Sequence, residues 1–560
     1  MDTVDLVCAL LFSGLVLYFL AAALRKKAGL SAPAEAARPG DKLKTAVLWA
    51  LLLALCSLRF YRFGAVPGGF NQDGAMAAVD ALALANHGTD RLGMRLPAHF
   101  TAWGYGQMSV LLSYCMAPLF KLFGMSSLTA RLPLLLVSFL GMGAAYGLLR
   151  GTVSRRAALI GLLLLAVNPW HFMQSRWALD CNMLPHLFLM GIFLLWLGVK
   201  KPSALYGSMV FFALCMYSYG LAFVSVPLFL LGGCALLLAG KWIRPRQALL
   251  CAGIYFLLSF PIYGTMLINA LGLETVELPF VTMPFFPQSV RSGDLIFFSP
   301  EPWKQLASNA RSLWQVGFLQ GHDLPWNAID GFGTLYRCSW PLMLLGLGLA
   351  IRRAVGEKEP RRRLGYRLLL LFWLCALATG LCAENVNVNR LNVLFYSHVL
   401  FLCLGVHGLI SFRRWTAVPL LLAYGLLSVL FFLNYFGPWA QRIRVDFYED
   451  FLQAVDYAGE ADFDALVITP DVQYSGGWQV SEILTRYQLQ LDAEYCRGET
   501  GDPVPYRQRF QYRNFSEAEL AAPPSGTAWV LKTQTVPSPL PPGWALRDFG
   551  SYAVLWYNGG

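Results

Sequence analysis

Charge is the first thing this sequence lacks. Only 14% of its 560 residues are Asp, Glu, Lys or Arg, and 56% are hydrophobic; the mean hydropathy is +0.49. Soluble domains carry about 25% charged and about 45–50% apolar residues, so an ordinary soluble enzyme is excluded. Cysteine patterning is missing too. The 12 Cys are scattered, mostly in apolar segments, with only Cys496 in the polar C-terminal region, and no CxxC pair occurs. This excludes a disulfide framework or a thiolate metal centre and leaves Cys as a small apolar residue. No repeat of one half by the other is found, which counts against a transporter of two symmetric halves. The first apolar run, residues 6–24, also lacks the basic residues that precede a secretory signal. Asp2 and Asp5 stand before it, and Arg25-Lys26-Lys27 follow it. That order predicts a retained helix with its N-terminus outside.

What the chain does have is apolar runs of bilayer-crossing length. They do not alternate as barrel strands would, so the class is a helical membrane protein. About 12 spans are expected by length and apolarity: residues 6–24, 45–61, 128–149, 157–170, 183–199, 204–219, 221–240, 248–271, 334–351, 368–383, 391–410 and 415–436. A basic linker with Arg38, Lys42 and Lys44 joins the first two. Every second loop is basic thereafter: Arg150/Arg155/Arg156, Lys200/Lys201, Lys241/Arg244/Arg246, Arg352/Arg353 with Arg361-Arg362-Arg363, and Arg413/Arg414. That alternation predicts topology and accounts for the net charge of +11 without nucleic acid. For the parity to hold, residues 108–123 must lie along the outer surface as an interfacial helix.

Three regions follow: residues 1–44, an extra helix and cytoplasmic linker; 45–436, the transmembrane domain with a long first outer loop at 63–127; and 437–560, a small extracytoplasmic α/β domain. In the last, helices are expected at 445–457 and 480–489 and strands at 465–469, 528–532 and 552–557, with a Pro-rich stretch at 536–542. It contains no catalytic spacing. The N-terminus and this domain are both expected outside a cell membrane that the chain crosses many times.

Acids before residue 440 gather on the outer side: Asp73, Asp80, Asp90, Asp180, Glu274, Glu277, Asp294, Glu301, Asp323, Asp330 and Glu384. Charge near lipid is costly, so a carboxylate site is expected there. In Phe70-Asn71-Gln72-Asp73-Gly74, Asp73 opens a helix-like stretch, 75–86, that Gly88 closes. Asp73 reads as a helix cap, as a general base, or as both. Asp80 reads as part of a solvated face. Further along the loop, in the segment that also holds His99, Trp103 and Tyr105 read as interfacial anchors or as a sugar platform. In the run from Asn168 to Pro185, Arg176 and Asp180 are four apart, which allows a local ion pair on one helical face or a site. Arg390 sits at an outer helix end and reads as a plain interfacial arginine or as a ligand for an anionic headgroup.

An acid soon after a span, a long loop with surface helices, and then Ser175-Arg176-Trp177-Ala178-Leu179-Asp180-Cys181-Asn182 resemble the C-type glycosyltransferase fold. The match is best to its family 39 bacterial members, like protein O-mannosyltransferases and aminoarabinose transferases. Leu122-Phe123-Gly124 with Ala130-Arg131-Leu132, Asn168-Pro169-Trp170 and Gly331-Phe332-Gly333 support it. The likeness covers residues 45–440 and is densest over 64–200. It implies an inverting transfer of a sugar from a polyprenyl-phosphate carrier to a glycan, lipid or protein acceptor on the outer face. Asp73 would be the general base and Asp180 the second-loop acid. Relatives commonly have Asp-Glu where this chain has Asp73-Gly74, and Asp90 is the substitute considered. Arg176 and Arg390 would hold the donor phosphate, and Asp90, His99, Trp103, His171, Tyr217 and Tyr219 would line the substrate groove. No metal is expected, with Mg or Mn as the fallback, since Asp73 and Asp180 are a thin oxygen set. The rival readings are a transporter or flippase, which would hold ionisable groups near span centres, and a non-catalytic scaffold displaying the C-terminal domain.

Overall fold

The computed structural model describes residues 1–25, 41–288, 296, 299–321, 324–383, 385–461, 463–472 and 477–558. Lys26, Lys27, Arg38, Asp294, Asp323 and Glu384 lie outside the described residues. The helices run in chain order as α1 (Asp2–Arg25), α2 (Asp41–Ser57), α3 (Gln72–His87), α4 (Leu111–Phe123), α5 (Ser127–Thr152) and α6 (Arg155–Val167). Then come α7 (Pro169–Gln174), α8 (Leu184–Gly198), α9 (Pro202–Ser218), α10 (Ala222–Ala239), α11 (Pro245–Leu271) and α12 (Pro302–Ser312). The bundle ends with α13 (Trp340–Gly356), α14 (Pro360–Cys382), α15 (Asn392–Phe412) and α16 (Ala417–Phe436).

Among the described residues nine helices are long and apolar enough to cross a membrane. Of the twelve expected spans, α2 (17 residues), α6 (13) and α9 (17) are shorter than that. The expected span 157–170 stops at Val167 because Asn168 turns extended and its side chain accepts the His171 N–H, starting α7. Ser126 and Thr129 form a capping box on α5, and Pro opens α9, α11 and α14 at their first turns. The helix expected over 108–123 begins only at Leu111, because Phe100 and Met108 pair as a β-bridge before it.

The centre of the bundle is α15, 83% of whose apolar window is buried, against 22% for α1. At the α13–α15 crossing a Cβ on Gly346 would overlap the Phe401 carbonyl, and one on Gly405 the Leu342 carbonyl. Only glycine lets these backbones touch, the small-residue packing by which membrane helices associate.

Residues 58–70, between α2 and α3, form successive turns rather than a helix, so many carbonyls lack a ladder partner. Two buried arginines take them up. Arg176 donates from Nη1 to the carbonyls of Leu58 (3.4 Å) and Arg59 (2.5 Å). Its Nη2 reaches Tyr61, Arg62 and Val66 at 2.9, 3.3 and 3.1 Å, and its Nε reaches the Tyr435 hydroxyl at 3.2 Å. Arg131 holds the carbonyls of Gly64, Pro67 and Gly69 at 2.7–2.9 Å. Arg59 turns back to the carbonyls of Leu165 and His171, each at 3.0 Å, and to the Ser175 hydroxyl.

The C-terminal region is a small α/β domain. Helices α17 (Pro438–Asp446), α18 (Glu449–Glu460), α19 (Trp478–Gln488), α20 (Ala493–Arg497), α21 (Tyr506–Arg509) and α22 (Glu517–Ala521) accompany its sheet. A hairpin in the membrane domain, β1 (Val276–Leu278) and β2 (Val281–Met283), precedes the sheet strands β3 (Ala465–Ile468), β4 (Phe510–Tyr512), β5 (Thr527–Lys532), β6 (Trp544–Asp548) and β7 (Tyr552–Tyr557). The sheet order is β4-β3-β5-β7-β6, with β3 parallel to both neighbours and the remaining pairs antiparallel. The single helix expected over 445–457 is two, broken at Phe447 and Tyr448, whose φ is 55°. At the break the Phe447 carbonyl accepts the Phe70 N–H at 2.7 Å, joining this domain to the segment just before α3.

Arg176→Met strips five carbonyls of their buried donor, and each unsatisfied group costs about 1–3 kcal/mol. The detergent-solubilised variant is expected to unfold well below the parent in a thermal scan, and an unchanged midpoint would mean that residues 58–66 are ordered by something else.

Candidate functional site

The site is built from the first turn of α3 outward. Asn71, not Asp73, is the helix cap: its backbone is extended and its side-chain oxygen accepts the Asp73 N–H at 3.0 Å. Asp73 is thereby released to sit half-buried in the first turn, at the positive end of the helix dipole. Gly88 closes the helix in the left-handed conformation, as its position in the sequence implies. The Asp73 carboxylate accepts the Trp103 indole N–H at 2.6 Å. Trp103 is therefore no lipid anchor. It stands on a tight turn in which Ala102 N–H donates to the Tyr105 carbonyl (2.8 Å) and Gly104 has a φ of 79°.

The segment carrying the second acid lies directly against this turn. A Cβ at Gly74 would come within 2.5 Å of the Ala178 carbonyl, two residues before Asp180. That contact supplies a physical reason for glycine after Asp73. Asp180 is buried, opens a short 3-10 turn, and accepts the Cys181 N–H at 2.7 Å. Behind it, Asn392 at the start of α15 accepts from Trp170 (3.1 Å) and Gln174 and donates to the Cys181 carbonyl and the Asn182 side chain. Residues 170–182 are thus locked to the most buried helix of the bundle.

Several expected site residues take other places. Arg176 and Asp180 do not share a helical face, because α7 ends at Gln174; each nitrogen of Arg176 donates within the chain, which removes it as a phosphate ligand. His171 is fully buried beneath the site, its Nδ1 beside Arg59 at 3.0 Å, and is no groove residue. Asp90, the substitute considered for the missing glutamate, has a structural task in the loop. It is buried, and its Oδ1 accepts the N–H groups of Leu92 and Met94, bracing the loop turn. Burial, and then the neighbouring Asp80, push its carboxyl up to about 6. Asp80 is not solvated either; it is 1% exposed and ion-paired with Arg91 at 2.5 Å. Tyr217 donates to the Leu258 carbonyl at 2.7 Å, tying α9 to α11, and Tyr219 caps the end of α9. His99 is buried, edge-on to Phe223, on the stretch where Ala98 pairs with Thr282 beside β2. Arg390 remains at the head of α15, half-buried, with Nη1 on the Asn385 carbonyl at 3.0 Å.

A cleft of about 500 Å³ opens between this loop and the C-terminal domain. Trp103 and Arg91 line one wall, and Trp478, Arg486 and Tyr506 the other. Sequence reasoning missed the second wall, because its residues lie some 400 positions away in a region that has no motif. It also missed Arg59, whose place at the end of an apolar run reads as an interfacial charge. Among the described residues one cluster has three potential metal ligands, His87, Asp492 and Glu494. It lies at the far end of α3 from Asp73.

Residues 108–263 match the model of the family described as dolichyl-phosphate-mannose-protein mannosyltransferase. No curated protein matches. The crystal structure of ArnT from Cupriavidus metallidurans bound to undecaprenyl phosphate is similar to this chain, with a TM-score of 0.53 at 13% identity, covering 91% of this chain and 97% of its own. This is the C-type glycosyltransferase fold. The archaeal oligosaccharyltransferase AglB from Archaeoglobus fulgidus, in complex with an inhibitory peptide and a dolichol-phosphate, also aligns, with a TM-score of 0.44 at 13% identity over 80% of this chain and 64% of that one.

Gly74→Ala forces α3 away from the Ala178 carbonyl, which tests the contact between the two acid-bearing segments. Because α3 is anchored along its length, the variant is expected to keep its fold, measured by thermal unfolding, while any activity of the site falls about tenfold or more from displacement of Asp73.

Proposed function

We propose that the protein transfers a sugar, with inversion, from a polyprenyl-phosphate carrier to an acceptor on the outer face of the membrane, with Asp73 as the general base. The observation that carries this reading is the half-buried Asp73 carboxylate. It is oriented by Trp103 on the wall of a cleft, in a fold shared with a protein crystallised with undecaprenyl phosphate.

In such a transfer the acceptor hydroxyl oxygen forms a bond to the anomeric carbon as the bond from that carbon to the carrier phosphate breaks. The electron pair leaves with the phosphate, and the hydroxyl proton goes to a carboxylate. A neutral hydroxyl is a poor nucleophile, so a base in hydrogen-bond reach is required. Asp73 fits that need: its carboxylate is half-buried and oriented by the Trp103 indole N–H, on the turn that borders the cleft. The departing phosphate gains charge, which a guanidinium stabilises more in the transition state than before it. Arg390 takes this role here, at the mouth of the bundle, where a lipid tail stays in hydrocarbon. Asp180 is the second acid, held in the segment against α3. The alternation of basic loops along the sequence supports placing this face outside.

With purified protein and a labelled polyprenyl-phosphate sugar, Asp73→Asn is expected to reduce acceptor-dependent release of polyprenyl phosphate by about 10²-fold or more, the usual contribution of a general base. Its unfolding midpoint should match the parent's. Normal turnover in the variant would remove the base role, and solute uptake into vesicles without any release of polyprenyl phosphate would replace the transferase with a transporter.

A further inference from the structure

The cleft beside Trp103 has a feature that general-base chemistry does not use. Arg486, on α19, is 5% exposed and lines the cleft, yet among the described residues its Nε and Nη2 have no hydrogen-bond partner, and the carboxylate whose charge it feels, Asp80, is already paired with Arg91. A buried guanidinium is ordinarily paired, since an unpaired one loses its hydration without compensation. The other three arginines of the lining are engaged. Arg91 is paired with Asp80 at 2.5 Å, Arg497 with Glu499 at 2.6 Å, and Arg507 lies over the Trp478 ring at 5.3 Å. Against these four cations the lining contains one carboxylate, Glu482, which accepts from the Tyr506 hydroxyl at 3.1 Å. Trp103 and Trp478 add two aromatic faces of the kind on which sugar rings pack.

We propose that this cleft is the acceptor subsite and that it selects a glycan carrying an acidic group, phosphate or carboxylate, which Arg486 receives. The proposal rests on the transferase reading given above and adds the acceptor class to it. Its placement favours the acceptor over the donor. Every lining residue belongs to the loop 91–103 or to the C-terminal domain, and none to a membrane-crossing helix. A carrier whose tail remains in lipid needs its phosphate at a helix end, whereas a water-borne glycan enters from this side. Trp103 joins the two halves of the site, because its ring lines the cleft while its N–H holds Asp73. Tyr487, the residue after Arg486, stacks on Phe70 at 4.4 Å, so the wall that carries the cation is fixed to the turn that carries the base.

The test is binding of soluble probes to the full-length protein in zwitterionic nanodiscs, followed by calorimetry. The probes are trigalacturonate for carboxylate, a mannose disaccharide 6-phosphate for phosphate, and maltotriose as the neutral control. At least one acidic probe should bind about tenfold tighter than maltotriose, with an affinity that falls as salt rises. Whichever acidic probe is preferred identifies the source of the anion. Arg486→Gln should erase the preference. Arg507→Gln, at an exposed position where folding is not at issue, should weaken it by about threefold. Equal affinity for acidic and neutral probes, no binding of any probe, or a preference that survives both substitutions overturns the proposal. Asp73→Asn separates the two readings. Acidic binding that depends on Arg486 together with undiminished transfer in Asp73→Asn would sink the base but keep the subsite; a dead Asp73→Asn whose parent shows no acidic preference would do the reverse.

Discussion

The structure depends on guanidinium groups that solvate backbone carbonyls. Between α2 and α3 the chain must leave a membrane helix, turn, and enter a surface helix without a ladder to satisfy its polar groups. Irregular backbone next to hydrocarbon is tolerated only where other groups take up its hydrogen bonds. Arg176 and Arg131 together reach the carbonyls of eight residues between Leu58 and Gly69. Hydrogen bonds from a charged donor contribute about 1.5–3 kcal/mol each in the net, so the clamp outweighs the rotamer entropy lost by two long side chains. Asn71 can then cap α3 by accepting the Asp73 N–H, and the Asp73 carboxylate accepts the Trp103 indole N–H instead of capping its own helix.

The C-terminal domain completes this arrangement and is not a passenger on it. Phe447 accepts the Phe70 N–H, Tyr448 donates to the Gln72 side chain at 3.3 Å, and Tyr487 stacks on Phe70. At the other end of α3, His87 lies between Asp492 at 2.7 Å and Glu494 at 3.1 Å. The helix carrying the acid is therefore gripped at its base by membrane-domain arginines and along its length by the soluble domain. The scaffold reading, in which that domain is merely displayed, does not account for contacts concentrated on one short helix.

The fold class was readable because bilayer crossing imposes a crude and long-ranged pattern: apolar runs of fixed length, with basic loops on one side. The α/β character of the last 120 or so residues was readable from strand and helix periodicity. What escaped was set by contacts distant in sequence. The helix expected over 445–457 breaks at Phe447, where its carbonyl is needed by Phe70, and nothing local to that stretch marks the break. Arg176 was singled out correctly as unusual and given the wrong partner, since an arginine that binds carbonyls and one that binds phosphate have the same sequence signature. Asp80 was set aside as solvated because Arg91, eleven residues away, lies beyond the helix spacing by which ion pairs are read. Trp103 resembles any interfacial aromatic until its N–H is seen on Asp73.

The arginine clamp also bears on how the proposed chemistry is distributed. Carbonyl dipoles solvate a guanidinium without cancelling its charge, and among the described residues neither Arg59, Arg131 nor Arg176 has a carboxylate within ion-pair distance. Three positive charges therefore lie along residues 58–69, the segment that leads into α3, in addition to the positive end of the α3 dipole. At an effective dielectric of about 20, a unit charge roughly 10 Å from a developing negative charge stabilises it by about 1.7 kcal/mol. On the transferase reading, arginines that never touch the substrate would then favour a departing phosphate over a neutral ground state. On the same reading Arg390 would supply the direct contact and the clamp the field. The same residues that make an irregular segment possible in the membrane would make its surface suited to releasing an anion.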